Sequence, residues 1–194
     1  MNIQPIVLEG SVVRLEPLSV SHHSALCAVG LDPELWKVGI ATIRTNEDMK
    51  SYIDAALKKQ EAGNDLPFVI IERLSGTAVG STRYMNIEKQ HRKLEIGSTW
   101  VARQWQRTAV NTEAKYSLLR HAFETLGCVR VEFKTDVLNE ASRAAILRLG
   151  AKEEGILRKH LITQTGRERD SVYYSIIDTE WGEVKKKLEK KLRR

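Results

Sequence analysis

Hydrophobic positions recur every second residue in some stretches of this chain and every third or fourth in others, and the switches between the two periods predict its elements. Val12, Val13 and Leu15 mark a short strand over 11–15, before Pro17. Ser19 or Ser21 stands where a helix running to about Val29 needs its cap. Met49, Tyr52, Ile53, Ala56 and Leu57 share one helical face within 46–62, with Asn46 as the cap and Gly63 as the stop. Three strand-like runs follow at Pro67–Arg73, Ala78–Ile87 and 94–101, joined by connections short enough for an antiparallel meander. From about Asn111 the period lengthens again. Ala114, Leu118, Leu119, Ala122, Phe123 and Leu126 form an apolar helical stripe that Gly127 ends. Residues 129–135 alternate as a half-buried strand. Asn139 opens a helix with Ala144, Ala145, Ile146 and Leu149 on its apolar side, closed by Gly150. Two more strands fit at 152–162 and 168–178, with a turn at Gly166, and Trp181, Val184, Leu188 and Leu192 repeat at helical spacing to the end. The pattern is mixed α/β (α+β): a mostly antiparallel sheet with helices inserted.

Composition narrows the reading. The 194 residues, 42% hydrophobic and 29% charged, suit one ordinary globular domain over 1–184. A formal net charge of +6 would ordinarily point to nucleic acid. That charge is local. Residues 185–194 carry seven basic side chains and one acidic, and removing them leaves 24 of each sign. The basic segment reads as the solvated end of the last helix; docking on RNA or the ribosome is the alternative. Cys27 and Cys128 are too few for a disulfide framework, and neither they nor the five histidines show metal-ligand spacing, so no metal is expected. The first ten residues lack a signal-peptide pattern and no run is long enough for a membrane span. A cytoplasmic protein is expected.

The candidate chemistry lies between 94 and 158. A strand ending near Val101 runs through a polar loop containing Arg103, Gln104, Gln106 and Arg107 into the start of a helix. Helix starts present unpaired backbone N–H groups and the positive dipole end, which suits phosphate; most also bind nothing, and Asn111 or Thr112 can serve simply as a cap. Asn139, Ser142 and Arg143 form a second group, in which a hydroxyl at a helix start could give a proton to a leaving thiolate. Ordinary capping explains Asn139 and Ser142 equally well.

Taken together these segments resemble the GNAT superfamily of acyl-CoA-dependent N-acyltransferases, and within it the branch of ribosomal-protein N-terminal acetyltransferases. The resemblance rests on the opening Leu8–Leu18, Thr112-Glu113-Ala114, Ala122–Gly127, Val129-Arg130-Val131, the N-x-x-S-R of 139–143, 149–158, and the closing Glu180-Trp181. It implies a GNAT fold in which strand 94–101 splays from a parallel neighbour at 129–135. It implies acetyl-CoA as cosubstrate and a primary amine of a small molecule or protein N-terminus as acceptor, with direct attack and no acyl-enzyme. Such folds often dimerise. The pyrophosphate loop of the family, Q/R-x-x-G-x-G/A, falls on Gln106, Arg107, Thr108, Ala109, Val110 and Asn111, followed by Thr112, with Ala109 standing where glycine is usual. In the resemblance Thr99, Trp100 and Val101 fall on the strand that meets pantetheine, and Asn139 on the residue that hydrogen-bonds the pantetheine arm, with Arg143 beside it; Ser142 falls on a position proposed to protonate the thiolate. Glu95, on the splayed strand, is the first candidate for general base, ahead of Asp170 and Glu132, with a solvated strand carboxylate as the alternative for each. Trp36 falls in a region that lines the acceptor pocket in relatives, or fills core; Trp100 could touch pantetheine.

Overall fold

A computed structural model describes residues 1–38 and 41–193. Eight strands form one sheet: β1 (Leu8–Glu9), β2 (Val13–Pro17), β3 (Leu66–Glu72), β4 (Ala78–Glu88), β5 (Lys93–Val101), β6 (Arg130–Asp136), β7 (Lys152–Ile162) and β8 (Glu168–Ile177). Their spatial order is β1-β2-β3-β4-β5-β6-β8-β7. Among the described residues only β5 and β6 run parallel; every other neighbouring pair is antiparallel. The helices are α1 (His23–Gly30), α2 (Asn46–Glu61), α3 (Ala109–Arg120), α4 (Glu140–Leu149) and α5 (Asp178–Leu192). The expected GNAT fold is present, with its one parallel pair between the predicted strands.

Two apolar clusters hold the layers together. One joins α3, α4 and α5 to the sheet through Leu118, Leu119, Ile146, Leu149 and Leu188 against Phe68, Tyr84, Ile96 and Phe133. The other joins α1 and α2 to the sheet through Leu26, Met49 and Ile53 against Val69, Ile71 and Trp100. Trp181 belongs to the first cluster, stacked on Phe123 at 5.3 Å with its indole N–H donated to Glu124. The basic end is continuous with α5. Leu188 is fully buried, Tyr116 donates to Glu189, and Lys185 pairs with Glu124, so most of this segment is docked helix rather than free tail. Arg194 lies outside the described residues.

Several boundaries shift for reasons of capping. The cap of α2 is Thr45, whose hydroxyl accepts from the Asp48 N–H while Asp48 accepts from Thr45 in return, so Asn46 is the first helical residue. Ser19 caps a single 3-10 turn, Val20–His22, that leads into α1. The helix expected from Asn111 begins two residues earlier, at Ala109, with Thr108 as its cap. Ala144 is exposed rather than part of the α4 apolar face.

The Thr112-Glu113-Ala114 run and the Gly10 of the opening segment have a joint explanation. Glu113, buried in α3, accepts hydrogen bonds from the backbone N–H groups of Ser11 (2.9 Å), Val12 (2.6 Å) and Val13 (2.7 Å) and from the Ser11 hydroxyl (2.6 Å). One carboxylate thus ties the start of β2 to the helix. A Cβ on Gly10 would lie 2.3 Å from Glu113 Oε2, and the two backbone N–H groups bonded to that oxygen, with the two bonds to Oε1, keep the carboxylate from retreating. Glu113→Ala is expected to cost about 3 kcal/mol or more, because three N–H groups, that of Val13 buried and the others partly so, lose a charged partner. Gly10→Ala should cost roughly 1–3 kcal/mol through overpacking. Urea unfolding checks both; unchanged midpoints would refute the clamp.

Candidate active site

The site is created where two strands part. Lys93, Leu94 and Glu95 of β5 pair with Arg130, Val131 and Glu132 of β6, and the ladder stops there. On the other side of β5, Ser81 pairs with Trp100 and Arg83 with Gly97, so Ser98 and Thr99 both stand opposite Thr82. This is a β-bulge, with Ser98 at φ 48°. Bulges sharpen the local twist, and this one turns the end of β5 away from β6. Beyond Glu95, the β5 edge toward the gap therefore keeps backbone groups without a β6 partner.

The phosphate-type loop sits at the far end of the same strand. Gln106 ties it back by donating from Nε2 to the Val101 carbonyl at 3.0 Å. Arg107 takes the positive φ of the turn (62°) and is exposed. Thr108 donates its hydroxyl to the Trp105 carbonyl at 2.7 Å and accepts from the Val110 N–H at 3.3 Å. Ala109 is the first residue of α3 and Asn111 the third, so the expected glycine position has ordinary helical backbone, and the methyl group costs no strain there. The exposed start of α3, the unpaired β5 edge and the buried, unpartnered Asn111 Oδ1 offer donors and acceptors suited to a ligand with phosphates at one end and amides along its length.

Across the gap, Asn139 caps α4 by accepting from the Ser142 N–H at 3.0 Å, which fixes Ser142, half-buried, in the first turn. Arg143 is held within the fold. Its Nε donates to the Tyr174 hydroxyl at 3.2 Å, Nη1 lies 3.4 Å from the Val137 carbonyl, and Nη2 lies 3.7 Å from Glu153. The Trp100 side chain packs on the α1/α2 face, 5.6 Å from Trp36 and against Met49, so its ring is core and only its backbone lies on β5. Trp36 also lies 6.2 Å from Tyr52 and donates to the Gly30 carbonyl.

Glu95 is 3% exposed and points into an open cleft of ≈ 670 Å³ lined among others by Lys59, Asp65, Asn86, Glu132 and Tyr173. It accepts from Asn86 Nδ2 at 2.8 Å and lies 3.4 Å from Lys134 Nζ. Glu132, directly opposite in register, is engaged by Arg130 at 2.8 Å and Lys93 at 3.8 Å. Asp170 accepts from the Lys159 backbone at 2.6 Å, a contact that bridges the register shift between β7 and β8. Of the three carboxylates the sequence offers, Glu95 and Glu132 face the cleft.

Lys115, in α3, went unnoticed in the sequence. It is 6% exposed and donates from Nζ to Thr99 Oγ1 at 2.5 Å and Thr82 Oγ1 at 3.3 Å, the two hydroxyls themselves 2.8 Å apart. Its spacing from Leu118, Leu119 and Ala122 places it on the buried stripe, but spacing alone does not tell a buried lysine from a solvated one. Burial pulls its ammonium down to about 7, partly offset by the negative charge of Glu95. From about pH 7 up to the ordinary lysine range the unfolded chain binds the extra proton, so stability rises with pH across that window. Lys115→Met should remove this slope: the variant gains most over the parent at about pH 6 and least at about pH 9. Denaturant midpoints against pH measure it, and a pH-independent offset would contradict it.

Among the described residues no helix is long and apolar enough to cross a membrane, and no three metal-type side chains cluster. The sequence matches the acetyltransferase (GNAT) domain family over residues 13–152. It is 38% identical over 106 residues to the Bacillus subtilis protein named "Putative ribosomal N-acetyltransferase YdaF"; the match covers 55% of this chain and little more than half, 57%, of YdaF. The crystal structure of a GCN5-related N-acetyltransferase from Brucella melitensis superposes with a TM-score of 0.90 at 30% identity, covering 96% of this chain and 85% of that one. Mycobacterium smegmatis RimJ, solved in complex with CoA-disulfide, shares the fold with a TM-score of 0.79 at 24% identity, over 98% of this chain and 94% of its own. With the family match spanning the parted strands, the α3 start and all of α4, the chain belongs to the GNAT acetyltransferase family.

Proposed function

We propose that the chain transfers the acetyl group of acetyl-CoA to a primary amine of a small molecule or protein N-terminus. The carrying observation is the parting of β5 from β6 after Glu95 and Glu132, with an exposed helix start at one end of β5 and a carboxylate-lined cleft beside it. Support for CoA as the donor comes from the family and from the CoA-disulfide held by RimJ on the same fold. The ribosomal assignment in the name of YdaF favours a protein acceptor.

In this reading the N–H groups of Thr108, Ala109, Val110 and Asn111 hold pyrophosphate, with Gln106 fixing the loop and Arg107 adding charge. The backbone of Thr99, Trp100 and Val101 meets the pantetheine amides, and the Asn139 side-chain amide approaches from α4. A backbone donor at the bulge polarises the thioester carbonyl, stabilising the oxyanion as it forms. Glu95 takes a proton from the incoming ammonium, directly or through water, leaving a neutral amine to attack; Lys134 and Asn86 hold the carboxylate in place. Ser142 protonates the departing thiolate. Arg143 acts by bracing α4 against β7 and β8, since its guanidinium is spent on Tyr174 and Glu153. The reaction needs no metal and runs in the cytoplasm. Ribosome contact through the end of α5 and homodimer formation are separate matters that this mechanism does not require.

Thiol release from acetyl-CoA across amino acids, polyamines, aminoglycosides and N-terminal peptides tests the reading. At least one acceptor should turn over, and Glu95→Gln should lower kcat/KM by roughly 100-fold or more. Ser142→Ala should lower kcat by about tenfold. Saturable CoA binding without turnover of any acceptor would leave a CoA-responsive binding protein, and no CoA binding would refute both.

A further inference from the structure

The buried amine of Lys115 has no part in the mechanism above, yet it lies against the feature on which that mechanism depends. Thr82 is the single residue opposed by both bulge residues, Ser98 and Thr99. Lys115 reaches in from α3 and donates to the hydroxyls on both sides of that mismatch, Thr82 on β4 and Thr99 on β5. Thr99 Oγ1 lies 2.8 Å from Thr82 Oγ1 and 3.3 Å from the Gly97 carbonyl, so the lysine completes a closed polar cluster under the bulge. Among the described residues no carboxylate bonds the ammonium; Glu95, which acts on it through space, is bonded to Asn86 and Lys134. An apolar side chain of similar length would fill the same space without taking a charge out of water. A lysine kept there is explained by what it fixes.

Resting on the acetyltransferase reading, we infer that Lys115 is a positioning residue: it locks the β5 bulge in the one register that aims a backbone N–H at the thioester carbonyl. The lysine does not touch the reacting atoms. It acts through Thr99, whose side chain is the handle by which α3 holds the backbone of 97–100. Two hydrogen bonds from one amine to adjacent strands oppose the slippage that an extra residue in a ladder otherwise permits.

The test combines kinetics with amide hydrogen exchange on the full chain. Lys115→Met should lower kcat by roughly 10- to 100-fold, the scale on which a misplaced donor is felt, with KM for acetyl-CoA changed less than about threefold. Thr99→Val should do the same, and the double variant should be no slower than the worse single one, since both remove one device. In CoA-free protein the amides of 97–100 should exchange at least about tenfold faster in Lys115→Met, while those of β3 and α5 do not change. A kcat within twofold of the parent, additive effects of the two substitutions, or unchanged exchange at the bulge would each overturn the inference. If the parent itself turns over no acceptor, the acetyltransferase reading fails, and local exchange still decides whether Lys115 holds the bulge.

Discussion

Everything functional in this molecule depends on one interrupted hydrogen-bond ladder. Parallel strands β5 and β6 pair for three residues each and then separate, because an extra residue in β5 opposite Thr82 twists its end away. In an ordinary sheet, unpaired strand edges are a liability covered or blunted by the fold. Here the edge opens in the middle of the sheet, with α3 starting at one end of the opening and α4 beside it. The gap therefore has the polar groups of a strand edge and the enclosure of an interior.

The surrounding structure keeps that opening from collapsing. Glu113 secures the start of β2 to α3, so the helix whose first turn faces the gap is anchored one turn further along by a buried carboxylate. Lys115, two residues on, reaches the bulge itself. The first two turns of one helix thus present free N–H groups, an acidic clamp and a basic brace. On the cleft side, Glu95 and Glu132 sit in register across the last paired rung, and each has its own cation, Lys134 for one and Arg130 for the other. Neighbouring carboxylates repel unless such partners are supplied.

Much of this was legible in the sequence. The change from period two to period three or four placed nearly every strand and helix, because each element buries one face. Boundaries slipped where a side chain rather than a period decides them: Thr108 instead of Asn111, Thr45 instead of Asn46. The splay followed from the family resemblance, while its local cause, a bulge at Ser98, was signalled only by Gly97, since a lone glycine in a strand marks either a bulge or a close backbone approach. Trp100 shows a different limit. Alternation counted across an unrecognised bulge cannot tell which face a ring will occupy, and this one turned into the α1/α2 core. Lys115 and Glu113 were visible as charges but not as buried ones, because a charged residue on an apolar stripe reads as solvated until its partners are known. The net charge of +6, concentrated in the last ten residues, belongs to a helix docked on α3.

The central claim is that the parted β5 edge and the start of α3 form a single binding surface for a CoA thioester. Titrating isotopically labelled protein with CoA and following the backbone amide resonances tests it most directly. The account predicts saturable shifts concentrated at residues 96–101 and 107–112, with those of β3 and the end of α5 unmoved. Shifts centred elsewhere, or none at saturating CoA, would contradict it.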